Sequence, residues 1–161
     1  GVGLVGSEMC IRDRYIREGT DWDKVERNLQ TIKEKCPHVK ISFNTVVSIF
    51  NLCTLTDFLK YITARGFNTN NGSLYNIVDP NYYSVSAMPQ QLKNTAKSKI
   101  EDYMNDNPGK FSHQLKGVLR YIDNSKFDEN AYKLFKAKTF YYDKIRNRDF
   151  VDTFPELVDV I

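Results

Sequence analysis

The residues whose types and spacing suit chemistry lie between Val39 and Pro80. The stretch VKISFNTVVSI has the two-residue period of a strand, so it divides into two faces. Val39, Ile41, Phe43, Thr45, Val47 and Ile49 make an apolar face, while Lys40, Ser42, Asn44, Val46 and Ser48 make a mostly small and polar one. The amide of Asn44 and the hydroxyl of Ser48 offer donors and acceptors that match the hydroxyl groups of a polar ligand. They equally suit the polar groups of neighbouring strands, which need partners once buried. A second run, LYNIVD, carries Asn76 and closes on Asp79-Pro80. An aspartate before proline is a turn starter.

Other chemistries find less support. Cys36 and Cys53 are seventeen residues apart, and neither has a cysteine or histidine at metal-ligand spacing. Reduced thiols in a cytoplasmic compartment are therefore expected, not a disulfide framework. His38 follows Pro37 at a strand entry and His113 falls in a first helical turn, so both read as surface residues. No Ser/His/Asp or Cys/His arrangement and no glycine-rich phosphate loop is present. Lys133, Lys136, Lys138, Lys144, Arg146 and Arg148 interleave with Phe135, Phe140, Tyr141 and Tyr142, a pattern able to grip phosphate and stack on bases. At helical spacing, however, Phe135 and Tyr142 fall near the buried stripe with the lysines opposite, as on a solvated helix. A net charge of +3 over 161 residues does not demand nucleic acid, which is disfavoured as a partner. With 41% apolar and 13% aromatic residues the chain is globular, and no run approaches the roughly 20 apolar residues of a membrane span.

The elements that must position these residues follow from periodicity. Thr20 is placed to cap a helix whose Trp22, Val25, Leu29 and Ile32 share one side, and Cys36-Pro37 stops it. The strand VKISFNTVVSIF is followed by a helix with Leu55, Phe58, Leu59 and Ile62 inward and Gly66 as its cap. After NTNNGS comes the strand LYNIVD. Helix, strand, helix, strand in that order predicts parallel strands with crossover helices.

YYSVSAM reads as a short extended stretch, with Pro89 at the first position of the next helix. That helix carries Leu92, Ala96, Ile100, Tyr103 and Met104 and ends before Pro108-Gly109. Ser112 is placed to cap a helix with Leu115, Val118, Leu119 and Ile122 inward. Asp128 is placed to cap a third, with Ala131, Leu134, Phe135, Tyr142 and Ile145 inward, and the apolar tail FVDTFPELVDVI is expected to dock.

A strand buried on both sides of an open parallel sheet reads as a continuous apolar run, which VKISFNTVVSI is not. In a parallel barrel the polar face lines the lumen and chemistry sits at the strands' C-terminal ends. An antiparallel strand with one face in water gives the same alternation, and the flanking helices favour the barrel. The expected fold class is α/β: an incomplete (β/α) barrel fragment with parallel strands over 15–88, then a mostly helical C-terminal extension over 89–161.

Taken in order, YIREGTDWDKVERNLQTIKEK, ISFNTVVSIFN, LYNIVDPNYYSVSAMPQQLK and FYYDKIRNRDFVDTFPEL resemble the "twitch"-containing lineage of radical SAM proteins from Tyr15 to the C-terminus. The resemblance implies a partial β/α barrel that binds S-adenosylmethionine and a [4Fe–4S] cluster held by a Cys-x3-Cys-x2-Cys loop. It assigns Asn44 and Ser48 to the ribose and carboxylate of S-adenosylmethionine, and Asn76, Asp79 and Pro80 to its adenine edge. The cluster loop is absent from this sequence. The expectation is therefore a fragment that lacks the N-terminal half of its barrel, ligates no cluster, contributes no catalytic or metal-binding residue, and is inactive alone on an unknown substrate. Twitch regions usually bind an auxiliary cluster, and the absence of cysteine after Cys53 points instead to a structural extension. The opening GVGLVGSEMCIRDR resembles a translated sequencing adapter, so residues 1–14 are read as non-native. The rival reading is a non-enzymatic module that binds nucleic acid or protein through the basic and aromatic helix 131–148.

Overall fold

A computed structural model describes residues 11–67 and 72–161, and shows a mixed, mostly helical fold around a two-stranded parallel sheet. Residues 11–16 are helical and lead to α1 (Trp22–Lys35). Its cap is Asp21, one residue later than expected, whose carboxylate accepts from Lys24 N at 3.1 Å. The bond reaches the third helical residue, the reach a capping side chain has. Helix α1 buries no residue completely, and its Trp22 and Leu29 only lean on the core.

Strand β1 (Asn44–Val47) is followed by a 3-10 turn (Leu52–Thr54) and α2 (Leu55–Ala64). Helix α2 buries Leu55, Leu59 and Ile62, and the chain leaves it through Gly66 at φ 69, a conformation that side chains resist. Strand β2 (Ser73–Asn76) then returns parallel to β1 with Asn44 opposite Ser73 and Val47 opposite Asn76. Gly72 is required here, since a Cβ would stand 2.6 Å from Phe43 O. The expected helix, strand, helix, strand order is thus present, and the strands are parallel. Both are shorter than the alternation predicts. Pairing defines a strand, and β2 offers only four residues, so 39–43 precede β1 without ladder partners among the described residues.

The YYSVSAM stretch is not extended. It forms two 3-10 turns, Asn81–Tyr83 and Val85–Ala87, because the Ser84 hydroxyl bonds locally, donating to Asn81 O at 2.7 Å and accepting from Ser86 N at 3.3 Å. Helices α3 (Gln90–Asp106), α4 (Ser112–Asn124) and α5 (Glu129–Arg146) follow, then the short α6 (Phe150–Thr153) and a 3-10 segment (Pro155–Val160). Ser112 is the first helical residue of α4, and Phe111, buried with φ 54, takes the cap position. Asp128 caps α5 as expected, accepting from Asn130 N and Ala131 N, each at 3.0 Å. The inward stripe of α5 is Ala131, Phe135 and Thr139, whereas Leu134 and Ile145 are exposed. A four-residue step keeps the stripe on one side, and the other two fall off it.

One set of buried side chains runs from Tyr15 to Val160 and crosses the fully buried Met88. Phe50, just beyond β1, meets the rings of Tyr15, Tyr83, Phe135, Phe150 and Phe154 at centroid distances of 5.0 to 6.4 Å. Asp143 closes this cluster with polar bonds. Its Oδ1 accepts from the Tyr15 hydroxyl at 2.7 Å and its Oδ2 from Phe150 N at 3.0 Å. Arg12 donates to both carboxylate oxygens of Glu156 at 2.5 and 2.9 Å, so residues on either side of the expected 1–14 boundary dock on the C-terminal segment. Phe150, Phe154, Leu157 and Val160 are buried, as expected of a docking tail.

Truncating Phe135 to alanine is expected to cost about 3–5 kcal/mol in urea unfolding, whereas Phe140→Ala, on the exposed side of the same helix, should stay within about 0.5 kcal/mol. Burial, and then the bond to Asp143, pushes the Tyr15 phenol well above its ordinary range. A raised folded-state pKa gives stability that is full below the unfolded value, about 10, and is lost at higher pH. Tyr15→Phe should therefore flatten the fall of stability measured by alkaline denaturation.

Candidate functional site

The register sorts the sheet's side chains into two faces. Asn44, Ser73, Val46 and Tyr75 share one, and Thr45, Leu74, Val47 and Asn76 share the other. Helix α4 covers the second face and ties it down: Gln114 Nε2 donates to Gly72 O at 3.1 Å and the Tyr121 hydroxyl to Ile77 O at 3.0 Å. The first face is bare, with Val46 at 51% and Tyr75 at 55% exposure.

The five expected ligand residues therefore do not converge. Asn44 lies on the bare face and is exposed. Asn76 belongs to the covered face, because β2 is offset so that Tyr75, not Asn76, lies beside Val46. Ser48, beyond the end of β1, is buried. Its backbone N–H donates to Asn51 Oδ1 at 2.8 Å, and Asn51 Nδ2 donates to Val46 O at 2.8 Å. Asn51 thus staples the turn that follows β1, a role the sequence reading missed. An asparagine three residues after a strand's last polar position was the available signal. Asp79 and Pro80 follow β2 through a cis peptide bond, with Asp79 exposed and Pro80 the N-cap of the next 3-10 turn.

Asn76 Oδ1, however, is buried without a hydrogen-bond partner among the described residues. Such atoms are rare, since an unmet buried acceptor costs about 1–3 kcal/mol. It marks the C-terminal end of β2 as a place where a further donor belongs.

Two shallow grooves lie elsewhere, beside α1 and the end of α2, with volumes of about 230 and 390 Å³. They share Lys33 and Phe67, and Glu26, Tyr61 and Arg65 close the smaller one. Arg65 is committed there, paired with Glu26 and stacked 4.0 Å from the Tyr61 ring centre. Lys93 is fully buried, its ammonium donating to Ser125 O at 2.8 Å, and burial lowers its pKa. It opens into neither groove and joins α3 to the α4–α5 turn.

The described residues do not fit an iron–sulfur cluster, which takes thiolates. Cys53 is buried and burial pushes its thiol up to about 11, so it is held neutral; Cys36 caps α1. No group of three His, Cys, Asp or Glu side chains comes together among the described residues. No described helix is long and apolar enough to cross a membrane.

Helix α5 presents the remaining feature. Its outer side carries Phe140 at 75%, Tyr141 at 57%, Ile145 at 59% and Leu134 at 41% exposure, among exposed Lys133 and Lys144, with exposed Arg148 just past its end. Arg146 is instead turned inward, donating to Tyr15 O at 3.1 Å.

Comparison with family models, curated proteins and solved structures gives no match to this chain.

Alkylation with iodoacetamide at about pH 8 should label the half-buried Cys36 in the native protein and spare Cys53, whose thiol is buried and held neutral, until denaturant is added. Mass spectrometry of the digested protein reads both sites.

Proposed function

We propose that the β1–α2–β2 unit is one part of a larger parallel (β/α) sheet of the partial-barrel kind, in an enzyme of the radical SAM class, with α3 to α6 as a structural extension. The observation that carries this reading is the bare face of the sheet. Parallel sheets occur covered on both faces, and a two-stranded pair is too small to be stable by itself. Among the described residues β1 and β2 pair only with each other, and Asn44, Val46 and Tyr75 are left to water. Further strands and a ligand would cover them.

In this reading Ser48 lies at the turn held by Asn51, and Asn44, at the start of β1, belongs to the polar lining that runs along the bare face. Asp79 and Pro80 flank the ligand beyond the end of β2, the end at which parallel sheets bind their substrates. The unpartnered Asn76 Oδ1 lies at that same end, on the face under α4. When bound, the cluster would supply the electron that cleaves S-adenosylmethionine, and its ligands would come from outside this segment. The chain's own task is to bind and orient. The rival reading, a binding module, is favoured by one observation: the exposed Phe140 and Tyr141 on the basic side of α5.

The native reading frame that carries Tyr15–Ile161, recovered and expressed without oxygen, is expected to contain a Cys-x3-Cys-x2-Cys loop and to release 5′-deoxyadenosine from S-adenosylmethionine under reduction. Asn44→Ala in that protein should weaken S-adenosylmethionine binding about tenfold, the worth of one hydrogen bond to a neutral partner. A complete frame without the loop removes the reading.

A further inference from the structure

The outer side of α5 and the C-terminal tail carry opposite charge on similar apolar ground. Two basic–apolar dipeptides, Lys133-Leu134 and Lys144-Ile145, are exposed on α5, with Tyr141 between them and Arg148 just beyond. The acids of this helix do not neutralise the far end. Glu129 pairs with Lys133 at 2.7 Å, and Asp143 is turned inward to Tyr15 and Phe150.

Residues 149–161 contain Asp149, Asp152, Glu156 and Asp159 and no lysine or arginine. Phe150, Phe154, Leu157 and Val160 anchor this tail. That anchoring leaves two apolar–acidic dipeptides outside, Val151-Asp152 and Val158-Asp159, with Val151 at 37% and Val158 at 49% exposure and both aspartates exposed. Asp149 caps α6 and Glu156 holds Arg12, so neither is free for another partner. Asp152 and Asp159 make no ion pair among the described residues.

We propose that the α5 outer face binds the C-terminal tail of a second copy of this chain. Valine side chains of one copy cover Leu134, Tyr141 and Ile145 of the other, and Asp152 and Asp159 meet Lys144 and Arg148. Each copy offers one basic and one acidic patch, and a two-fold axis that pairs both at once closes a dimer with two identical contacts. Exposed Leu134 and Ile145 beside Tyr141 give the face an aliphatic part that suits the apolar centre of a protein interface better than single-stranded bases, which stack on aromatic rings. Opposite charge sets the partner and register, and the apolar residues at the centre supply the affinity. This inference is independent of any chemistry at the sheet.

The test is sedimentation equilibrium of the 161-residue chain at low and moderate salt. The wild type should dimerise, more weakly as salt rises. Lys144→Glu/Arg148→Glu and, separately, Asp152→Lys/Asp159→Lys should each weaken the dimer more than about 100-fold, since like charges then face each other. Mixed in equal amounts, the two variants should form a heterodimer, because every reversed patch now meets its opposite. Circular dichroism confirms that both variants fold, and Tyr141→Ser, which alters no charge, should weaken the dimer without changing its salt dependence. A monomeric wild type overturns the proposal, and so does a dimer indifferent to these substitutions or a mixture that stays monomeric. Salt-sensitive capture of a single-stranded oligonucleotide that is lost in Lys144→Glu/Arg148→Glu, with no dimer, would give the face to nucleic acid instead.

Discussion

The burial of Phe50 is the constraint on which the architecture depends. Its ring lies just past β1 and touches five other aromatic rings drawn from the N-terminal helical turn, the 81–83 turn, α5 and the tail. Aromatic side chains bury large areas and gain from tilted and edge-on contacts, so one residue gathers segments over a hundred positions apart. Asp143 makes the gathering specific. A carboxylate at the edge of such a cluster needs donors for both oxygens, and the Tyr15 hydroxyl and the Phe150 amide supply them. These bonds fix the entry of the tail relative to α5. The direction in which the tail's outer residues face follows from them.

The sheet is the least self-sufficient part. Helix α4 closes one side through apolar packing and two side-chain bonds to backbone carbonyls. The other side keeps Val46 and Tyr75 in water beside Asn44. Parallel strands gain little from hydrogen bonding alone and persist where both faces are covered. The bare face leaves room for material at the side of the sheet, while the unmet Asn76 oxygen, on the opposite face under α4, marks the C-terminal end of β2. The two grooves lie elsewhere, against α1 and the end of α2.

Charge is distributed by the same packing. Arg12, Arg65 and Arg146 are all spent on internal partners: Glu156, Glu26 and the Tyr15 carbonyl. Among the exposed charges, Lys144 and Arg148, at and just past the end of α5, are followed in sequence by Asp152 and Asp159 of the tail. A mild net charge conceals this arrangement.

Much of the order of elements was legible in the sequence. The crossover helix with Leu55, Leu59 and Ile62 inward, the Gly66 stop, the Asp128 cap and the docking tail all follow from local period and backbone preference, which act within a few residues. Of the apolar face of VKISFNTVVSI only Val47 and Ile49 are fully buried; Ile41, Phe43 and Thr45 are half-buried, and Val39, ahead of the paired residues, is exposed. Register was not legible. Whether Asn76 or Tyr75 shares a face with Asn44 depends on a one-residue choice between strands 29 positions apart, and a single-residue slip exchanges the faces. The 3-10 turns at 81–87 escaped because a serine's local hydrogen bonds outweigh the extended preference of its neighbours. Leu134 and Ile145 are apolar in either environment, and only the packing around Phe50 decided which side of α5 they occupy. Local chemistry set the elements and their ends; the meeting of distant segments decided which side chains face one another, because that choice is made by contacts no short window of sequence contains.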